Sequence, residues 1–258
     1  MAKIYTTEIT SENIPSDNPL HQRLYQAYVV AEPYIQGDVL EVGCGEGRGV
    51  ELLSGKADSF TAVDKIEEAL VVLRERFPKG KFISMNIPPL GGLQDNTYDC
   101  VVSFQVIEHI QNDALYLKEI NRVLKPGGIA LFTTPNRKMS LSRNPWHIRE
   151  YLAHELKTLA AGIFASAEMK GITGNEKVME YYAQNKKSVQ RIMKWDIFRL
   201  QWNLPAWMLR APYEFLNRSN RNKLQTGDTT LVSSIRHEDY LVTDDADNAL
   251  DLLLIVTK

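Results

Sequence analysis

Val39-Leu40-Glu41-Val42-Gly43-Cys44-Gly45-Glu46-Gly47 is a short apolar run that ends in three alternating glycines. Such a run reads as a buried strand entering a loop whose backbone must come close to something. Glycine supplies a positive φ at little steric cost and carries no Cβ to hold a ligand away. A dinucleotide fingerprint needs G-x-G-x-x-G, so that a pyrophosphate can sit on the next helix N-terminus. Here the third glycine comes one residue early, and Arg48 stands where that fingerprint needs it. No Lys-Ser/Thr pair follows to make a phosphate loop. The loop therefore predicts a nucleoside-type ligand without a pyrophosphate.

Outward from this stretch, strand and helix signals alternate. A helix over 20–34 precedes strand 38–42, and a helix from about 47 to 54 precedes strand 59–63, which ends at Asp64. Helix 66–76, strand 81–85, strand 98–103, helix 113–124 and strand 129–134 follow, with Pro126-Gly127-Gly128 as the turn before the last. Helix 149–161, strand 164–172 and a terminal strand 251–257 complete the pattern. Apolar strands alternating with amphipathic helices imply a parallel sheet covered on both faces. Ligands of such sheets lie beyond the carboxyl ends of the strands, where Gly43, Asp64, Asn86, Phe104 and Pro135 would converge. The stretch between residues 173 and 250 has little strand character and is too long for a bare loop, so it should carry structure of its own.

Bulk composition sets outer bounds. The chain has 258 residues and a net charge of −2, which makes no electrostatic case for nucleic acid or membrane as the partner of the whole molecule. No apolar run approaches the roughly 18 residues that span a bilayer. Residues 1–19 lack the apolar core of a secretory signal. The two cysteines, Cys44 and Cys100, form neither a disulfide framework nor a zinc pattern. A reduced, cytoplasmic protein without a metal cluster is the expectation.

Five elements in order carry a resemblance: Glu41-Val-Gly-Cys-Gly-Glu-Gly47, Asp64 after the second strand, the Asn86 segment after the third, Tyr98-Asp-Cys-Val-Val-Ser-Phe-Gln-Val-Ile-Glu-His109, and Leu124-Lys-Pro-Gly-Gly128. Together they resemble the class I S-adenosylmethionine-dependent methyltransferases. The wording is most similar to the small-molecule branch that includes ubiquinone-type O-methyltransferases, as is the helix bearing His21, Arg23 and Tyr25. The resemblance implies a Rossmann-like, doubly wound seven-stranded sheet with its last strand antiparallel. It also implies one domain over 1–258, with a core of 20–172 plus 249–258 and a helical insertion or lid over about 174–228.

The implied cofactor is S-adenosylmethionine, and its chemistry suits the residues. Gly43, Cys44, Gly45 and Gly47 would pass the backbone along the methionine moiety, and Glu41 would balance the ammonium group directly or through water. The two oxygens of Asp64 match two ribose hydroxyls. Lys65 and Ile66 should flank the adenine; Asn86 can bond its edge, and Ile87 supplies an apolar wall. Gln105 lies near the expected methionine carboxylate or amine. Each role has a structural rival. Glu41 could cap a helix, Asp64 could be the N-cap of helix 66–76, and Cys44 is a small buried filler rather than a nucleophile.

The sulfonium methyl is already activated, so a base is needed only if the acceptor is protonated at neutral pH. Glu108-His109 follows the fourth strand, and Asn144-Pro-Trp-His-Ile-Arg-Glu150 follows the fifth. His147 and Glu150, three apart on a helix start, would share a face. His147 is the preferred base, with His109 the second candidate. The opposing expectation is that Glu108 and His109 cap the following helix, while His147 holds a loop to backbone.

Residues 176–223 hold ten Lys/Arg against four Asp/Glu, a balance of +6 that leaves −8 on the rest of the chain. At about 100° per residue, Val189, Met193, Ile197, Leu200 and Leu204 make one stripe, opposed by Lys187, Arg191, Lys194, Trp195, Phe198 and Trp202. Three roles compete for the aromatic, basic side: packing on a second helix over 206–218, walling an aromatic or anionic small acceptor, or meeting lipid, a partner chain or RNA. Nucleic acid is the least favoured. Oxygen methylation of a small molecule is the expected reaction. The alternatives are a catalytically inactive S-adenosylmethionine-binding scaffold and, behind it, a lipid- or RNA-directed enzyme.

Overall fold

The computed structural model describes residues 14–196 and 200–258; Ile197 and Phe198 of the two stripes lie outside them. In chain order the elements are α1 (Asn18–Ala31), β1 (Asp38–Val42), α2 (Val50–Lys56), β2 (Ser59–Asp64), α3 (Glu67–Arg76), β3 (Lys81–Ser84), β4 (Tyr98–Phe104), α4 (Asp113–Val123) and β5 (Leu124–Pro135). Then come α5 (Ala153–Ala161), β6 (Ser166–Gly174), α6 (Glu176–Met193), α7 (Leu200–Asn203), α8 (Ala206–Gly227), α9 (Thr229–Ser234), β7 (Tyr240–Thr243) and β8 (Asp251–Thr257). The strands form one sheet in the order β3-β2-β1-β4-β5-β8-β6-β7. Strands β1 to β5 pair in parallel, and β8 runs antiparallel to both β5 and β6.

Alternation along β1 explains the two-faced core. Leu40 and Val42 join one apolar cluster with Tyr116, Ile120 and Leu156, whereas Val39 joins the other with Ala27, Tyr28 and Leu53. Period-2 side chains on a strand covered by helices on both faces produce this division. Leu40 is wholly buried, which contributes roughly 1.5–3 kcal/mol relative to exposure. Helix α1 lays Ala27, Tyr28 and Ala31 on the sheet. Pro33, two residues past the helix, cannot continue it.

Four expectations change. Among the described residues the sheet has eight strands rather than seven, because Tyr240–Thr243 pairs with β6 as an added edge. Those four residues are too short for a period-2 signal, and Leu241 and Val242 face solvent. Strand β5 starts at Leu124, so Pro126-Gly127-Gly128 lies inside the strand beside an irregular register with β4. Helix α5 starts at Ala153, not 149. Tyr151 instead pairs with Asn136 in an isolated bridge, and its carbonyl accepts from Arg137 N at 3.0 Å. His147 and Glu150 therefore sit on a loop and not on a helix start. Finally, the stripe over 187–204 is not one helix: α6 ends at Met193, and the carboxylate of Asp196 caps α7 by accepting from Leu200 N at 2.6 Å.

The helices before β7 are fastened to the front of α1. Asp17 is fully buried and accepts from Arg218 (2.9 and 3.0 Å) and Arg221 (3.1 Å). Asn18 Nδ2 donates to the carbonyls of Val232 and Ile235. Among the described residues, no helix is long and apolar enough to cross a membrane.

Candidate active site

The glycine loop leaves β1 and borders a cavity of about 560 Å³, whose walls include Tyr28, Cys44, Gly45, Arg48, Phe104 and Gln105. Gly43, Gly45 and Gly47 all adopt positive φ (85°, 53° and 83°). Their surroundings differ. A Cβ on Gly43 would strike Val106 at 2.4 Å and one on Gly47 would strike Leu73 at 2.3 Å, whereas one on Gly45 would meet nothing within 4 Å. Gly43 and Gly47 thus shape the turn, and Gly45 is the one that leaves room for a ligand. Gly45 N donates to Asp64 Oδ2 at 2.8 Å, and Ile66 N donates to Oδ1 at 3.0 Å. Each carboxylate oxygen keeps lone-pair capacity beyond these bonds.

Glu41 is 2% exposed and points toward α1, where Tyr28 Oη donates to its Oε1 at 2.8 Å. Its Oε2 is buried without a hydrogen-bond partner among the described residues. Burial raises the Glu41 carboxyl to about 7. It caps no helix. Such an orphaned acceptor fits a cationic ligand group, which would complete its bonding and favour ionisation. Cys44 is buried, and burial holds its thiol well above its ordinary range, with the Glu41 carboxylate adding to the shift. The thiol is therefore not primed as a nucleophile.

The strand ends beyond Asp64 are adjacent but separate from this cavity. Met85 N donates to Asp64 O at 2.9 Å, which places Asn86 next to the Asp64 turn. Lys65 and Asn86 are exposed, Ile66 is buried, and Ile87 packs half-buried against the core. None of these four lines the glycine-loop cavity.

Gln105 does, and it also lines a second cavity of about 300 Å³. Its backbone has φ 57°, a conformation uncommon for a side chain with a Cβ. Bonds from its N (2.8 Å) and Nε2 (3.3 Å) to Thr133 hold it there. Leu24 of α1 is shared in the same way.

The second cavity contains the two histidine segments. His147 Nδ1 lies 2.7 Å from Glu150 Oε1, and its Nε2 lies 2.9 Å from Asn144 Nδ2. Asn144 Nδ2 can only donate, so Nε2 is the accepting atom and the imidazole proton belongs on Nδ1. Asn144 is itself oriented because its Oδ1 accepts from Trp146 N at 3.0 Å. His109 Nδ1 donates to Trp146 O at 2.9 Å, and its ring meets His147 edge-on at 5.0 Å. Glu108 O accepts from Ile148 N and Arg149 N, and Glu108 Oε2 accepts from Thr134 at 2.9 Å. The Glu108-His109 pair therefore anchors the 144–150 loop. It does not cap α4, whose N-cap is Asn112, accepting from Leu115 N at 3.0 Å. Burial raises the Glu108 carboxyl to about 7, with the nearby His147 acting in the opposite direction.

Sequence spacing shows no metal set. The fold nonetheless brings one ligating atom each of Glu108, His109 and His147 within 4.8 Å of one another, a grouping that could hold a divalent ion. Sequence reasoning also missed Tyr28 as the partner of Glu41 and Asn144 as the partner of His147. Tyr28 was legible only as one member of an apolar helix stripe, and Asn144 only as part of the histidine segment.

Residues 40–132 match the family model described as a methyltransferase domain. A protein of Mycolicibacterium smegmatis, described as a probable S-adenosylmethionine-dependent methyltransferase, is 40% identical over 245 residues, spanning 92% of this chain and 87% of its own. Two of the same description from Mycobacterium tuberculosis strains are 38% identical over 176 residues, which is 66% of this chain and 63% of theirs. The match thus spans less than two thirds of their length. A ubiquinone biosynthesis O-methyltransferase of Rickettsia conorii is 32% identical over 104 residues, 39% of this chain and 35% of that one. Among solved structures, an S-adenosylmethionine-dependent methyltransferase of Thermotoga maritima superposes with a TM-score of 0.56 at 16% identity. It covers 93% of this chain and 91% of its own, a likeness of fold.

Proposed function

The chain belongs to the S-adenosylmethionine-dependent methyltransferases, and we propose that it methylates an oxygen of a small acceptor held in the cavity beside Gln105. The observation that carries this reading is the junction itself. Gln105, together with Leu24, lines both the glycine-loop cavity and the cavity that holds the His147–Glu150 pair.

When bound, S-adenosylmethionine supplies an activated methyl group on a sulfonium. Gly45 offers open backbone for its methionine portion, and Glu41 Oε2 offers a buried acceptor for its ammonium. Asp64 receives the ribose hydroxyls with the lone pairs its two backbone bonds leave over. Lys65, Ile66, Asn86 and Ile87, on top of β2 and β3, are assigned to the adenine end. Holding donor and acceptor in line can lower the barrier by up to roughly 7–11 kcal/mol.

For a hydroxyl acceptor, His147 Nε2 takes the proton in place of its bond from Asn144, and Glu150 steadies the imidazolium through Nδ1. Glu150 is a positioning residue, and so is His109, which holds the loop through Trp146 O. The cavity wall favours an aromatic acceptor over an anionic one. Its two guanidinium groups are already paired, Arg23 with Asp251 and Arg221 with Asp17, and the rings of Tyr181, Tyr182 and Tyr213 share the same wall.

His147→Ala should leave S-adenosylmethionine affinity intact, measured by calorimetry. Turnover on a hydroxyl acceptor should fall about 100- to 10,000-fold, with loss of the acidic limb of its pH profile. Unchanged turnover and profile would remove His147 from the mechanism. Cofactor binding with no turnover on any hydroxyl acceptor would make the chain a binding protein.

A further inference from the structure

Helix α6 has a clean division of faces. Val178, Tyr181, Tyr182, Asn185 and Val189 turn inward along the acceptor cavity. Ala183, Lys186, Lys187, Gln190 and Arg191 are exposed at the alternating three- and four-residue spacing of one outward stripe. That stripe runs on to Lys194 and Trp195, and Trp195 is 86% exposed.

Helix α8 faces the same cavity with Tyr213, Asn217 and Asn220, yet its outer surface is also apolar. Trp207 and Phe215 are 71% and 74% exposed, with Met208 and Leu216 beside them. Between the two helices, α7 exposes Leu200 and Trp202. A run of large apolar side chains exposed on one outer face marks an interaction surface, and tryptophans on a cationic surface find both of their preferences met at a lipid headgroup layer.

We propose that the outer face of α6, α7 and α8 docks on an anionic phospholipid surface. Trp195, Trp202, Trp207 and Phe215 enter the headgroup region, and Lys186, Lys187, Arg191 and Lys194 meet the phosphates. Charge complementarity supports this occupant. The exposed stripe itself presents four cations, Lys186, Lys187, Arg191 and Lys194, while the chain outside residues 176–223 carries −8, so a negative surface orients the molecule with this face toward it. Leu200, Met208 and Leu216 among the rings favour lipid over RNA, because aliphatic side chains offer bases no stacking surface. The acceptor cavity lies directly behind both helices, so docking sets it near the membrane boundary.

The full chain should co-sediment with vesicles of equal parts phosphatidylglycerol and phosphatidylcholine, and not with phosphatidylcholine alone. Binding should weaken as salt rises. The triple variant Lys186→Ala/Lys187→Ala/Arg191→Ala should lose about 100-fold in vesicle affinity, about fivefold per cation. Trp195→Ser/Trp207→Ser/Phe215→Ser should lose at least about tenfold. Both should keep the parent melting temperature and S-adenosylmethionine affinity, since every substituted side chain is exposed. Equal sedimentation with neutral vesicles, no sedimentation with either, or retention of full affinity by both variants overturns the proposal. So does self-association that shields the tryptophans from an aqueous quencher, or preferential binding of single-stranded RNA. None of these readouts depends on methyl transfer, so the surface and the reaction stand or fall separately.

Discussion

Glu41 of β1 bonds Tyr28 of α1, so its titration bears on how strand and helix are held together. Its carboxyl rises to about 7 from an ordinary 4.5 because it is buried, and Glu108 behaves alike. The folded state therefore holds protons that the unfolded state has released between those values. This contribution is present below about pH 4.5 and is lost as pH rises through about 7, up to about 3 kcal/mol per group. The ligand-free protein should melt at lower temperature at pH 8 than at pH 5.5. Glu41→Gln, which keeps an acceptor for Tyr28, should remove part of that slope in a thermal melt. If Glu41 faces the ammonium, saturating S-adenosylmethionine should flatten the parent slope and leave the variant's unchanged; equal effects on both would detach Glu41 from the cofactor. At this scale the glycine loop and Asp64 were legible because their chemistry is local. The Tyr28–Glu41 and His109–Trp146 bonds were not, since each joins residues far apart in the chain that only the folded sheet brings together.

The loop between β4 and α4 shows why element boundaries are harder to read than elements. Any of Glu108, His109, Asn112 and Asp113 could begin α4 by composition, and the backbone assigns the cap to Asn112. Asn112→Ala should lower stability by about 1 kcal/mol in chemical denaturation. It should leave turnover intact, because the Glu108 and His109 bonds to the 144–150 loop do not involve it. A large loss of turnover would mean that the α4 cap and the loop move together. The parallel strands were legible from their apolar runs, and the antiparallel terminal strand from the resemblance. Edge strand β7 escaped because only four residues pair and half of them face water. The start of α5 was misplaced because Arg149-Glu150-Tyr151 can continue a helix. Instead Tyr151 is wholly buried, and its hydroxyl donates to Asp113 at 2.9 Å. A helical count likewise carried the insertion stripe through residue 196, where the chain turns.

Across the whole molecule, α1 is the wall between the two cavities. His21, Tyr25 and Tyr28 face the glycine loop, Pro19, Leu20 and Arg23 face the histidine cavity, and Leu24 borders both. Helix α8 is tied to the front of this helix, where Asp17 binds Arg218 and Arg221, and β7 is tied to it through Tyr240 Oη, which donates to Pro19 O at 2.6 Å. Arg221 and Asn220 line the acceptor cavity but not the glycine-loop cavity. Loosening this clasp should therefore disturb one cavity and spare the other. Asp17→Asn removes the charge and one acceptor while keeping the shape. Both arginines are partly exposed, at 41% and 21%, so water recovers part of the lost interaction. A stability loss of about 1–2 kcal/mol follows. Acceptor KM should rise several-fold as Arg221 and α8 shift, while S-adenosylmethionine Kd stays within about twofold, since Gly45, Asp64 and Glu41 make no bond to the clasp. A parallel weakening of cofactor binding would show that α1 moves as one rigid wall. In that case the two cavities would be coupled through the helix rather than merely adjoining at Gln105.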